Sequence, residues 1–78
     1  MMYSDNTLLL KGFGKRIREL RKERKLSQSE LGARANLEKS AVQRIERGYN
    51  SKITTLAKLA NGLDVNISEL MNFTVPLK

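Results

Sequence analysis

The chain has 78 residues, with 15 Lys and Arg against 8 Asp and Glu, a formal charge of +7, and neither His nor Cys. A chain this short hides only about 60% of its unfolded surface, which allows one small core and excludes multi-domain mechanisms. Without Cys or His there is no disulfide framework, no ordinary zinc site and no side chain that titrates near neutrality, so neither an enzyme nor a cofactor is expected, while the positive charge favours nucleic acid as a partner.

In chain order, residues 1–10 are predicted to form a flexible tail, because Met1 to Thr7 are polar and unpatterned. The apolar run Leu8-Leu9-Leu10 is too short for a signal peptide or a membrane span, which predicts a cytoplasmic protein without membrane contact. From Gly12 to Lys25, Phe13, Ile17 and Leu20 recur at helical spacing, with Lys15, Arg18, Lys22 and Lys25 on the other side. Arg21 falls on the flank of that stripe and should have an acidic partner. Ser27 followed by Glu30 is a capping-box pair, so a second helix runs from Gln28 to about Ala35, with Leu31 and Ala35 inward. Gly32 within it predicts the close approach of another backbone, and Asn36, tolerant of positive φ, ends it.

The segment Lys39 to Arg47 separates its faces most sharply. Lys39, Ser40, Gln43, Arg44 and Arg47 occupy an arc of about 140°, opposite Ala41, Val42 and Ile45. Glu46 falls at the border between the faces and is the natural partner of Arg21, and Gly48 stops the helix. Ile53, Leu56, Leu59, Ala60 and Leu63 mark a fourth helix, with Ser51 its expected cap. Asn66 and Glu69 repeat the cap-plus-acid signature and open a last short helix reaching about Phe73. Beyond it, residues 74–78 with Pro76 suit an extended arm. No stretch offers a strand pair, so the predicted class is all-α, with the ordered domain spanning residues 11–73.

Two short helices joined by a tight turn, the second polar on its outer face, match a helix-turn-helix whose second helix enters the major groove of DNA. The stretch from Phe13 to Phe73 also resembles the Cro and phage-repressor family, often called Xre. The resemblance rests on Ile17-Arg18-Glu19-Leu20-Arg21, on Leu26-Ser27-Gln28-Ser29-Glu30-Leu31, and on Val42-Gln43-Arg44-Ile45-Glu46-Arg47-Gly48.

That resemblance implies a compact, lambda-repressor-like five-helix domain and, for many members, a homodimer on a two-fold symmetric operator. Carried over by position, Gln28 should touch the DNA backbone and Lys39, Ser40, Gln43 and Arg44 should face base edges, while Arg21 and Glu46 match the family's internal ion pair. Arg and Lys can bond guanine acceptors, and Gln can bond adenine through both amide atoms. Arg47, nearer the end that leaves the groove, should grip phosphate, helped by Tyr49, Asn50 and Lys52. The chain departs from the family at Asn36, where Gly is common, and at Glu38, where the recognition helix commonly has a Ser or Thr cap. Glu38 either repels phosphate or accepts a hydrogen bond from a cytosine amino group.

The implied function is a sequence-specific regulator of transcription, a repressor or autoregulator. The length is similar to that of restriction–modification controller proteins and small phage-type regulators. The alternative is an antitoxin or other interaction module with secondary DNA binding, and a third reading is non-specific coating of nucleic acid by charge alone. Three features stay open at this level. The eight basic residues between Lys11 and Lys25 either steer DNA at long range or contact phosphate through Lys15 or Lys11. Glu19 and Glu23 read as salt-bridge partners of Arg16, Lys22 or Arg18, not as a catalytic pair. Met71, Phe73, Val75 and Leu77 are either the rim of the core or a dimer contact.

Overall fold

The apolar spacings of the sequence are realised as five helices: α1 (Asn6–Glu23), α2 (Gln28–Ala35), α3 (Lys39–Glu46), α4 (Ile53–Leu63) and α5 (Ile67–Leu70). The computed structural model describes residues 6–75, and no strand occurs among them. Each helix sends at least one side chain fully out of water: Ile17, Leu31, Val42, Leu59 with Leu63, and Leu70. Burial of such a side chain contributes about 1.5–3 kcal/mol, so these six anchors set the relative positions of all five helices. α2 packs against α3 and α4, and α1 against α3 and α5.

Local signals act as their chemistry requires. The Ser27 Oγ accepts the Glu30 N–H at 3.0 Å, and the Ser27 N–H donates to Glu30 Oε1 at 2.8 Å. Asn36 ends α2 with φ 56°. A Cβ on Gly32 would stand 2.7 Å from the Leu37 carbonyl oxygen, the close backbone approach expected there. Two arginines of the basic stretch fasten α1 to later elements: Arg16 Nε donates to the Glu69 carbonyl at 2.9 Å, and Arg24 Nε to the Leu63 carbonyl at 2.6 Å.

Three boundaries and one ion pair differ from expectation. The first helix begins at Asn6, so residues 6–10 belong to α1 and not to a tail; Leu8, Leu9 and Leu10 are half-buried there. Residues 1–5 of the expected tail lie outside the described residues. Lys52, not Ser51, occupies the N-cap position of α4, with no side-chain cap bond. Ser51 falls one residue too early, and its N–H donates to Asn50 Oδ1 at 2.8 Å. α5 stops at Leu70 because Met71 turns away (φ −92°, ψ 5°), short of Phe73. Glu23 meets Arg24, at 3.7 Å, instead of the partners expected on α1.

The chain after α5 returns to α1. The Phe73 ring lies 6.2 Å from that of Phe13, tilted by 52°, and both Phe73 and Val75 approach Gly12. Phe73 thus packs at the rim of the core and Val75 is half-buried beside Gly12, whereas Met71 remains 43% exposed. Leu77 and the rest of the proposed arm, residues 76–78, lie outside the described residues.

Candidate nucleic-acid interface

The turn between α2 and α3 fixes how α3 stands on the core. Leu37 N–H donates to the Gly32 carbonyl at 2.8 Å, and Leu37 packs against the core, which aims the chain into α3. Glu38 takes the N-cap position with extended backbone and no side-chain cap bond, so its carboxylate sits at the positive end of the helix. On α3, Val42 and Ile45 are buried, Lys39, Ser40 and Arg44 are exposed, and Gln43 is half-buried; Arg47, just beyond, is exposed too. An eight-residue helix with one buried edge and one cationic, amide-bearing edge can donate hydrogen bonds outward without leaving the core.

Behind this face lies a buried ion pair. Arg21 Nε donates to Glu46 Oε2 at 2.7 Å and Arg21 Nη2 to Glu46 Oε1 at 3.0 Å, while Nη1 donates to the Leu26 carbonyl at 2.9 Å. Their side chains are only 10% and 5% exposed. The bond to Glu46 raises the Arg21 guanidinium above its already high ordinary value, against the opposing effect of burial. Gln28 joins the pair, its Nε2 donating to Glu46 Oε1 at 3.2 Å. One amide hydrogen of Gln28 is thus committed inward, and the second N–H and the Oε1 remain for a ligand.

Around α3 the predicted residues divide into two groups. Gln28, Gln43 and Arg47 line a shallow polar concavity together with Glu46 and Arg18. A neighbouring hollow places Lys39 beside Arg18, Gln28 and Ser29. On the opposite side, Ser40, Arg44, Asn50 and Lys52 line a second concavity against the start of α4. Tyr49 is set apart from its expected companions: its ring carries the Arg44 guanidinium, with Cζ 4.5 Å from the ring centroid. The Asn50 Oδ1 is engaged with the Ser51 N–H.

Sequence reasoning missed Arg18. It shares the two hollows with Gln28, and the signal for it was its place one turn before Arg21, on the flank that meets α2 and α3. Lys11 lies against Gly48, where a Cβ would come within 3.3 Å of the Lys11 side chain. Among the described residues there is no group of three His, Cys, Asp or Glu able to hold a metal, and no helix long and apolar enough to cross a membrane.

A short capped helix, a tight turn and a second helix presenting a polar face define a helix-turn-helix protein. A model of the helix-turn-helix family matches residues 17–70, and the chain belongs to that family. It is 42% identical over 59 residues to the immunity repressor protein of Bacillus phage phi105, covering 74% of this chain and 41% of the repressor. The chain therefore spans well under half of that relative's length. The restriction–modification controller protein C.AhdI of Aeromonas hydrophila superposes with a TM-score of 0.76 at 42% identity, over 78% of this chain and 94% of the controller. The controller C.Esp1396I, crystallised on a 19 base pair DNA duplex, superposes with a TM-score of 0.74 at 28% identity, over 80% and 84%.

Proposed function

We propose that this chain is a sequence-specific DNA-binding regulator of transcription, a repressor or autoregulator of the controller type. It acts in the cytoplasm as a homodimer on a two-fold symmetric operator with half-sites about 10 bp apart. The observation that carries this reading is the two-sidedness of α3: Val42 and Ile45 are locked in the core while Lys39, Ser40 and Arg44 face solvent. The likeness to a controller crystallised on a duplex supports the same partner here.

In this reading Lys39, Ser40, Gln43 and Arg44 meet base edges. Gln28, Arg47, Asn50 and Lys52 meet the phosphate backbone, and Arg18 joins them from α1. Arg21 and Glu46 stay inside, holding α1, α2 and α3 in register. The chemistry is recognition by hydrogen bond and charge, with no catalytic step and no cofactor.

The test is selection of bound duplexes from a pool with a randomised centre. An inverted repeat is expected; recovery of duplexes with no shared sequence overturns the proposal.

A further inference from the structure

Four of the helices end in the same backbone device. A residue of positive φ closes each of α1 to α4: Lys25 (56°), Asn36 (56°), Gly48 (97°) and Asp64 (58°). The next residue's N–H then reaches back to a carbonyl in the helix: Leu26 to Arg21 at 3.1 Å, Leu37 to Gly32 at 2.8 Å, Tyr49 to Arg44 at 3.0 Å and Val65 to Ala60 at 3.0 Å. Such a turn brings the reaching side chain against the last turn of the helix, ordinarily as an apolar contact. Leu26, Leu37 and Val65 use it to pack on the core. Tyr49 does not: it is 49% exposed, and its ring lies under the guanidinium of Arg44.

We propose that Tyr49 is a positioning residue for sequence readout, holding the Arg44 guanidinium in the plane from which it meets a base edge. This rests on the proposal that α3 reads DNA. An arginine free in water must give up rotamer freedom when it binds, and a side chain already held gives up less. A ring 4.5 Å from Cζ limits how far the guanidinium can swing, and the N–H fork of that guanidinium is what a guanine O6 and N7 would accept from. The device is built into α3 itself: the left-handed Gly48 turns the chain so that Tyr49 falls back beside Arg44. The π face alone is used, so the Tyr hydroxyl is dispensable.

The test applies the randomised-centre duplex pool to the wild-type chain, Tyr49→Phe, Tyr49→Ala, Tyr49→Leu, Arg44→Ala and the Arg44→Ala/Tyr49→Ala double variant. Arg44→Ala should erase preference at one base pair of each half-site. Tyr49→Ala and Tyr49→Leu should weaken preference at that same pair by about two- to five-fold, with other positions and the salt slope unchanged. Tyr49→Phe should keep the wild-type profile, and Tyr49→Ala should add nothing to Arg44→Ala. Equal weakening of every duplex with a shallower salt slope would make Tyr49 a phosphate contact and overturn the positioning role. Additive effects in the double variant, or a wild-type profile in both Tyr49→Ala and Tyr49→Leu, overturn it too. A wild-type chain without any preference overturns the base-reading proposal itself, whereas a sharp wild-type profile indifferent to Tyr49 sinks only this inference.

Discussion

Gln28 at the start of α2 and Glu46 at the end of α3, 18 residues apart, are joined by a side-chain hydrogen bond of 3.2 Å on the same carboxylate oxygen that receives Arg21 Nη2. Three helices thus converge on one atom, and the group proposed to touch phosphate hangs from the group that holds the fold.

Glu46→Ala should therefore act twice. It leaves the Arg21 guanidinium buried without its carboxylate, a change that costs about 3–5 kcal/mol in comparable sites. Calorimetry should show a fall in Tm of more than about 10 °C, given about 4–8 °C per kcal/mol for a domain of this size. It also releases Gln28, so phosphate affinity should fall, by no more than Gln28→Ala removes. An unchanged Tm would show that the pair does not hold the helices.

Gly14→Ala tests the crossing of α1 over α3. A Cβ there would stand 2.9 Å from the Glu46 carbonyl oxygen and closer still to that of Ile45, both of them backbone atoms that cannot swing aside. Alanine gains about 1 kcal/mol in helix propensity, yet overpacking costs about 1–3 kcal/mol. The expected outcome in urea titration is a net loss of stability, opposite in sign to Gly→Ala at an uncrowded helix position.

Lys25 is an ordinary L-residue held at φ 56° where α1 ends. Left-handed backbone costs such a residue about 1–2 kcal/mol, part of which glycine returns to the unfolded chain as entropy. Lys25→Gly should stabilise the protein by about 1 kcal/mol, seen as a rise in Tm of about 4–8 °C.

Hydrogen bonds from the Ser27 backbone and hydroxyl hold the Glu30 carboxyl below the usual carboxylate range. A lowered folded-state pKa gives stability that is complete above the unfolded value, about 4.3, and is lost as pH falls through the folded value. The stability advantage of the wild-type chain over Glu30→Ala should thus be present near neutrality and shrink in acid, as read by urea midpoints at the two conditions.

On DNA, Lys39→Ala and Gln43→Ala should relax preference at individual base pairs and leave Tm unchanged. Arg47→Ala and Arg18→Ala should weaken all duplexes alike and reduce the salt slope by roughly one each. Binding measured across a salt series separates the two patterns, and loss at a single base pair in Arg47→Ala would contradict its assignment.

What was legible in the sequence was what neighbouring residues settle among themselves. Ser27 with Glu30, Asn36 at its left-handed turn and the two faces of α3 each follow from spacings of a few residues. The Arg21–Glu46 pair was legible because each lies on the edge of its own apolar stripe. Gly14, Arg18 and Tyr49 were not, because their roles arise where α1 crosses α3 and where α3 turns back on itself. The start of α1 was missed for a different reason: Leu10 continues the Phe13 and Ile17 spacing, but Ser4, Asp5, Asn6 and Thr7 are all capping residue types, so no single one of them marks the beginning.

The shortness of α3 has a consequence for addressing. Eight residues rise about 12 Å, the height of roughly three or four base pairs. A word of four letters recurs by chance about every 250 positions, far too often to mark one promoter among the millions of competitors in a genome. On the proposed reading, one molecule alone would hold too short a vocabulary, and a unique address would be spelled by several reading helices fixed at a set spacing along the same duplex.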